Sequence, residues 1–431
     1  MIRSTLLRFI NGFSNPPDIT PIQRKNFKNV QIDAVGVGLA NAASPFLPVF
    51  LTRLGASSFE VGMLTSMPAI TGLLLAIPIG QFLQNQRKIV PWFSAARLGV
   101  IACYAFTGLA AFAFHEHSLV ISILLIWALA TIPQTMLAIT FSVVMNAVAG
   151  PNHRFDLMNR RWSTLGLTTA VMVFILGQIL DRISFPINYQ VAFIVLSLGG
   201  FLSYYFSSRI SLPDILAHRE GKRLSFKAQI KEYIDLVSKE KPFQAFIVKR
   251  FIFLSGAAMA LPVLPLYFVR QLHASDAWIA AISTAQTAIL ILGYYIWTRQ
   301  SRKRGTRPVL IWTTFGSALY PILVSLTGQV WLITIFAGIN GIFSAGLNLV
   351  FFDELMKTVP EEYSSTFVSL AQGLQFLSTI LSPLIGTFLG DQFGLGVALA
   401  VSGGLQLIGF SMFALNWPSN QVATITADIE A

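Results

Sequence analysis

The fold of this chain is indicated by a short sequence that occurs twice. Residues 47–53 read LPVFLTR and residues 264–270 read LPLYFVR. One ungapped shift of 217 residues relates the two stretches, and the same shift aligns Pro91 with Pro308. In each copy the stretch ends a long apolar segment, and a polar turn, a second apolar segment and a group of basic residues follow it. A shift that holds over this length indicates two copies of one structural unit.

The composition indicates a membrane protein. The chain is 54% hydrophobic and only 11% charged, and its mean hydropathy is +0.65. A soluble globular protein carries about a quarter charged residues, so this chain lacks the polar side chains to cover a surface that faces water. The single cysteine, Cys103, lies in an apolar segment and allows neither an internal disulfide nor a cysteine-based metal site.

Twelve segments are long enough to cross a bilayer. A hydrocarbon core of about 30 Å requires roughly 20 apolar residues in a helix. We therefore predict an all-α polytopic membrane protein with twelve transmembrane helices in two pseudo-symmetric six-helix bundles. In chain order the predicted spans 1 to 12 are 27–52, 60–83, 89–114, 119–148, 162–180, 189–207, 243–269, 277–298, 309–326, 330–355, 365–389 and 395–415.

The distribution of basic residues predicts the orientation. Most of the 30 Lys and Arg residues fall in loops on one face of the membrane, and the other face holds only Arg53, Arg182 and Arg270. Cytoplasmic loops are enriched in Lys and Arg, so we expect both termini in the cytoplasm. This placement also accounts for the net charge of +11, and a nucleic-acid partner is not predicted.

The same reasoning divides the chain into five parts. We predict a cytoplasmic N-terminal segment (1–26), a first bundle (27–208), a cytoplasmic linker (209–241), a second bundle (242–416) and a cytoplasmic tail (417–431). The N-terminal segment is either an amphipathic helix on the membrane surface or a disordered tail. In the linker, Ser225 can cap an amphipathic helix, which is either a structural connection or a site of regulation by anionic lipid.

With this layout the chain resembles the major facilitator superfamily. The resemblance rests on the six-plus-six arrangement, the basic central loop and degenerate forms of the family's loop signature, which read GQFLQNQRK at 80–88 and RKRGTR at 302–307. It implies a secondary transporter with a central cavity between two bundles. The chain lacks the acidic residue of the signature near Gln84, the arginine of span 4 and the Gly-Pro antiporter signature of span 5. These departures count against a drug/proton antiporter.

Four ionisable residues lie well inside predicted spans, away from the span ends: Asp33, Arg97, Lys249 and Arg250. Each costs roughly 2.5–3.5 kcal/mol at a helix centre on insertion scales, so each is a functional candidate. The repeat places Asp33 and Arg250 at equivalent positions. In the fold that the resemblance implies, they would face each other across the cavity as a gate, which a proton on Asp33 or a solute carboxylate on Arg250 would open. The alternative is that both lie near the cytoplasmic ends and are hydrated.

Two further groups complete the predicted coupling and gate residues. Arg97 has two alternative partners, Asp33 or the pair Asp353 and Glu354 at the end of span 10, and a structural role is the preferred interpretation. Asp353 and Glu354 are adjacent on a helix and point in different directions. We predict that they form gate salt bridges with basic loops.

Polar uncharged residues form stripes along several predicted spans. In lipid, such stripes must face protein or water. They either line a cavity or form hydrogen bonds between helices. The predicted substrate contacts are the amides nearest the middle of the membrane: Asn41, Gln134, Asn340, Asn348, Gln372 and Gln375.

The absence of several motifs reduces the number of function classes that fit the sequence. The sequence has no phosphate-binding glycine-rich loop, no His or Cys ligand cluster and no nucleophile with a base, so we predict no cofactor, no metal and no enzyme activity. We expect a monomeric secondary transporter of the plasma or inner membrane that moves a small organic solute by alternating access, with proton coupling. The alternatives are efflux of lipophilic drugs and, less favoured, a non-transporting sensor or membrane enzyme.

Overall fold

The computed structural model describes residues 19–84, 86–150, 153–212, 240–358 and 364–415. Throughout these ranges the regular elements are helices, without a β-strand. Most of the predicted N-terminal segment and linker, and the whole predicted C-terminal tail, lie outside the described residues. The amphipathic helices predicted there are therefore not part of the structural account.

The prediction of twelve spans is confirmed, since twelve helical stretches of the described residues have the length and apolar composition to cross a membrane. The predicted and observed ends of most spans differ by a few residues. In chain order the helices of spans 1 to 12 are Pro21–Asn41 with Phe46–Arg53, Ser58–Gln84, Val90–Ala113, Glu116–Ala149, Arg154–Leu180, Ile187–Ser197 with Gly199–Ser207, Lys241–Leu266, Asp276–Arg304, Thr306–Ser325, Val330–Thr358, Ser364–Phe393 and Leu395–Leu415.

Span 1 is interrupted where one continuous helix was predicted. Its first helix ends at Asn41, and a turn follows in which the backbone N–H of Ser44 donates to the carbonyl of Asn41 at 3.0 Å. Pro45 explains the break, because proline has no N–H and its ring clashes with the carbonyl four residues earlier. The repeat places Pro262 at the same position in span 7, where the helix continues and then widens into a π-helix at Tyr267–Gln271. The repeat aligns this π-helix with residues 50–54 of span 1, so the two copies depart from a regular α-helix at different levels.

Span 5 begins eight residues earlier than predicted, at Arg154 instead of Trp162. The prediction that Arg160 and Arg161 lie in a loop was therefore wrong. Both side chains are inside the helix and only 7% and 3% exposed, respectively. The guanidinium of Arg161 lies 4.6 Å from the ring centre of Phe141, which allows a charged residue to be buried. A hydropathy window counts the charge and misses this packing.

Among the described residues, the two six-helix halves share an apolar core at one end of the molecule. We call this the closed end. It contains the turns at 54–57 and 272–275, and its core joins residues of the first half, such as Phe50 and Tyr189, to residues of the second half, such as Leu266 and Ala280. At the opposite end, which we call the basic end, the described residues form two separate cores, one in each half.

The contacts between the halves become looser away from the closed end. Spans 5 and 8 form one such contact, and spans 2 and 11 form another. In the first, a β-carbon built on Gly177 would lie only 2.2 Å from the β-carbon of Ala280, whereas one built on Gly166, nearer the basic end, would lie 4.0 Å from Ile291. The halves are therefore packed together at the closed end and diverge towards the basic end.

Candidate functional site

Arg53 joins the two halves at the closed end. Its Nη2 donates to Oδ1 of Asp276 at 2.8 Å and to the carbonyl of Ala274 at 3.1 Å. The hydroxyl of Tyr189 donates to the same Oδ1 at 2.5 Å. Asp276 is only 4% exposed, so two side chains of the first half satisfy a buried carboxylate of the second half.

Arg270, the counterpart of Arg53 in the repeat, makes the reverse connection. Its Nη1 donates to Oγ of Ser58 at 2.8 Å, and its Nη2 donates to the carbonyl of Ala56. Ser58 in turn donates to Asp391 of span 11. Each half therefore reaches with one arginine into the turn of the other half. The sequence analysis had aligned these arginines but assigned them no role.

A third connection caps span 8 from the other half. Asp181 accepts hydrogen bonds from the backbone N–H groups of Asp276 at 2.8 Å and Ala277 at 3.1 Å. The first N–H groups of a helix have no partner within the helix, and a carboxylate there also favours the helix dipole. Asp181 adds to the cap that Ser275 provides from its own half, and this added stabilisation of the beginning of span 8 exists only while the halves are together. Hydrogen bonds and a shared apolar core close this end of the molecule.

Asp33 faces its own half. It is fully buried, accepts a hydrogen bond from Ser203 at 2.6 Å and lies 3.5 Å from Nη1 of Arg97. Three residues further along the same helix, a β-carbon on Gly36 would lie 2.5 Å from the carbonyl of Gly199. Residues at this spacing share a face, so this face of span 1 packs against span 6. This corrects the predicted pair: the structure brings Asp33 to Arg97, one of the two predicted alternatives, and not to Arg250.

Arg250 is half-buried in the second half and pairs with another predicted residue. Its Nη2 donates to Oε1 of Gln375 at 2.7 Å, and its guanidinium lies 5.9 Å from the ring centre of Phe351. An arginine has five N–H donors, and the Nε of Arg250 has no acceptor among the described residues. The pair of Arg250 and Gln375 can therefore still bind an acceptor such as a carboxylate.

The other predicted solute contacts differ in exposure and fall into three groups. Asn348 and Gln372 are exposed, and Asn348 donates to the hydroxyl of Tyr294 at 3.2 Å. Exposed amides inside a membrane span require water or a polar ligand, so these two are consistent with a wet interior. Asn41 and Gln134 are half-buried. Asn340 is only 8% exposed and lies within the helix packing instead.

Asp353 and Glu354 pair within the second half. Lys357 lies 2.8 Å from Asp353 and 2.9 Å from Glu354, and the hydroxyl of Thr306 donates to Glu354. Both carboxylates thus pair with a basic residue that the sequence analysis had placed in a cytoplasmic loop, and their role as gate salt bridges stays a prediction. In the part of the chain that the structure describes, no group of three or more His, Cys, Asp and Glu residues could hold a metal ion.

Comparison with known proteins finds similarity to one family in the second half of the chain. A family model described as Major Facilitator Superfamily matches residues 246–424. The chain is 26% identical over 168 residues to the multidrug resistance protein MdtG of Citrobacter koseri. That alignment covers 37% of this chain and 40% of MdtG.

Solved structures resemble the whole fold. A POT family transporter in complex with a thioalcohol-conjugated peptide gives a TM-score of 0.72 at 11% identity and covers 90% of this chain and 95% of its own. A bacterial homologue of the human lysosomal transporter Spinster, in an inward-facing and occupied conformation, gives 0.69 at 12% identity and covers 93% and 100%. The nucleoside transporter NupG gives 0.65 at 11% identity and covers 92% and 98%. At these identities the likeness concerns the fold alone.

Proposed function

We propose that this chain, which belongs to the Major Facilitator Superfamily and is a multi-pass membrane protein, is a secondary transporter that moves a small organic solute by alternating access. The contacts at the closed end are the main support for this proposal. Two repeated halves meet there through reciprocal arginines, Arg53 and Arg270, and they diverge at the other end. Breaking these contacts while forming new ones at the basic end would move access from one side of the membrane to the other.

We further propose that the basic end lies in the cytoplasm of a plasma or inner membrane, with both termini on that side. The support is the excess of Lys and Arg in the loops of that end. In this orientation the structure is an inward-facing state, closed to the outside. Residues 27–208 and 242–416 would move as the two rigid units of a monomer, without cofactor or catalysis.

The solute that fits the interior best is anionic or zwitterionic. Arg250 lies beside Gln375 and next to the face of Phe351, and its Nε has no acceptor among the described residues. A planar guanidinium suits a carboxylate, which it can bind through two parallel hydrogen bonds. Asn348 and Gln372 supply exposed amides for the rest of a small polar molecule.

Coupling to protons would act through Asp33. This residue is buried beside Arg97, and a proton on its carboxylate would remove the negative charge of the pair. Arg97 would then lose its counter-ion, and the packing of spans 1, 3 and 6 would respond. Uptake that ignores both the proton gradient and Asp33→Asn would contradict this part of the proposal.

The test is a thermal-unfolding screen of the purified protein against carboxylates, zwitterions and lipophilic cations at acid and neutral pH. A ligand of the folded state raises the midpoint as its concentration rises. We expect carboxylates to do so, and Arg250→Ala to remove the effect. Lys249→Ala is the matched control, because adjacent residues point about 100° apart on a helix. Equal responses of Arg250→Ala and the unmodified protein would contradict the assignment.

Efflux of lipophilic compounds is the second candidate, and the partial match to MdtG favours it. In that case lipophilic cations would raise the midpoint at either pH, and Arg250→Ala would leave the response unchanged. Arg250 would then act in gating and not in solute binding.

A further inference from the structure

The first half contains a buried cluster of charges that the proposed transport cycle does not use fully. Arg97, Arg161 and Asp33 are 2%, 3% and 0% exposed, and Arg161 lies within electrostatic range of the other two. Two guanidinium groups and one carboxylate leave one positive charge in excess. Buried charges are costly unless they are paired, so among the described residues the cluster lacks one negative charge.

The unpaired atoms of this cluster are hydrogen-bond donors. Nε and Nη1 of Arg161 and Nε of Arg97 have no acceptor among the described residues. The hydroxyl of Thr164, one turn after Arg161 on the same helix, is also buried without a partner in that part of the chain. Arginine has donors and no acceptor. The missing partner must therefore supply acceptor atoms.

The position of Arg161 gives this partner a defined location. One turn further along span 5, the carbonyl of Leu165 lies 3.1 Å from a β-carbon built on Gly38 of span 1, so this face of span 5 packs against span 1. Phe141 of span 4 lies across the guanidinium at 4.6 Å, and Trp162 lies at 5.1 Å. The unpaired donors are thus enclosed between spans 1, 4 and 5, about two turns from the beginning of span 5.

We propose that Arg161, together with Arg97 and Thr164, forms a binding site for one small monovalent anion. One negative charge balances the cluster, and the anion accepts hydrogen bonds from the unpaired N–H groups of Arg161 and the hydroxyl of Thr164. The donors are buried and the ring of Phe141 lies against the guanidinium, which favours a small occupant, a halide or a single carboxylate group. This site is distinct from the donors of Arg250 and does not depend on the solute proposed for the interior.

The experiment measures the thermal-unfolding midpoint of the full-length protein in detergent. The background salt is a morpholinoethanesulfonate, an anion too bulky for the site, and chloride, bromide or acetate replaces it at constant ionic strength. We expect a saturable rise of the midpoint with the small anion and no rise in Arg161→Gln. Arg182→Gln, which removes an exposed guanidinium at the closed end, is the matched control and should respond like the unmodified protein.

The effect of Arg161→Gln on the unfolding midpoint in the background salt distinguishes an anion site from a structural role of Arg161. An unpaired buried cation destabilises the fold, so Arg161→Gln should unfold at the same temperature as the unmodified protein or higher. A much lower midpoint in the background salt would show that Arg161 already has a partner and would overturn the proposal. Thr164→Val should fold and require a several-fold higher anion concentration for the same rise.

The choice of anion identifies the source of the charge. A response to chloride and bromide assigns an inorganic ion, whereas a response to acetate alone assigns the carboxylate of an organic ligand. The same response in the unmodified protein, Arg161→Gln and Arg182→Gln would reflect a nonspecific effect of the anion on the protein, and the proposal would fail. Because Arg250→Ala leaves this site intact, failure here is distinguishable from failure of the solute assignment.

Discussion

Adding one methyl group at Gly177 should open the closed end. Gly177 lies in span 5 against span 8, and a β-carbon at this position would be 2.2 Å from the β-carbon of Ala280 and 2.9 Å from the carbonyl of Asp276. Carbon atoms in contact lie about 3.5–4.0 Å apart. Gly177→Ala can therefore be accommodated only if the two halves separate by more than an ångström at this point.

The size of the effect follows from the cost of overpacking. An extra methylene in a well-packed interior costs about 1–3 kcal/mol. The clash exists only while the halves are together at the closed end, so the cost falls on the state observed here and not on a state that is open at this end. A difference of 1–3 kcal/mol corresponds to a roughly 5- to 150-fold shift in a two-state equilibrium.

The shift can be measured far from the substitution. Thr387 of span 11 is 1% exposed and contacts Gly62 across the other contact between the halves. In a Cys103→Ala background, Thr387→Cys should react with a water-soluble maleimide about 5 to 150 times faster when Gly177→Ala is added. A rise at this distance would show that the halves move as rigid units.

The control places the same methyl group inside one half. A β-carbon on Gly200 would lie 2.7 Å from Cγ2 of Ile101, and both residues belong to the first half. Gly200→Ala should lower the unfolding midpoint and leave the labelling of Thr387→Cys unchanged. The reasoning is refuted if Gly177→Ala folds normally and does not accelerate labelling, or if both glycine variants accelerate it equally.

The remaining predictions concern the charged residues. Arg53→Gln and Arg270→Gln should each accelerate labelling of Thr387→Cys, and the double variant should do so more than either, because each arginine binds the turn of the other half separately. If all three variants are labelled at the same rate as the protein that has both arginines, the arginines do not hold the end closed. Asp33→Asn should destabilise the protein by about 3–5 kcal/mol, since it leaves Arg97 as a buried cation without its counter-ion. Adding Arg97→Gln should recover most of that loss in chemical denaturation, and an additive double variant would show that the two residues do not interact.

The repeat in the sequence predicted much of the fold. The shared LPxxxxR stretch and the apolar segments around it predicted twelve spans in two halves, because membrane thickness fixes the length of each helix. The same alignment paired Arg53 with Arg270, yet it could not reveal their reciprocal contacts. Those contacts depend on how the two halves meet, which is a property of the assembled bundles and not of either copy.

The buried charges show where sequence reasoning fails. Equivalent positions placed Asp33 opposite Arg250, but the rotation of span 1 about its axis is set by the close approach of Gly36 and Gly199, which directs Asp33 to Ser203. Arg161 was assigned to a loop because its charge outweighs its neighbours in a hydropathy window. Its burial depends on Phe141, a residue of another helix, and no local pattern encodes that contact.

The most direct test of alternating access is a disulfide across the closed end. A β-carbon on Gly62 would lie about 3.1–3.2 Å from the side-chain atoms of Thr387, which places the two β-carbons near the 3.5–4.5 Å that a disulfide requires. The variant combines Gly62→Cys and Thr387→Cys with Cys103→Ala. Its matched control, Ser255→Cys with Ser378→Cys, links hydroxyls that are 3.0 Å apart within the second half.

The measurement is solute flux in proteoliposomes before and after reduction, using the ligand identified by thermal unfolding. Alternating access predicts that the disulfide between positions 62 and 387 abolishes flux and that binding from the basic end persists. Reduction of this disulfide should restore transport. The control disulfide between positions 255 and 378 should leave flux unchanged. Full transport with the closed end covalently locked would contradict the central claim.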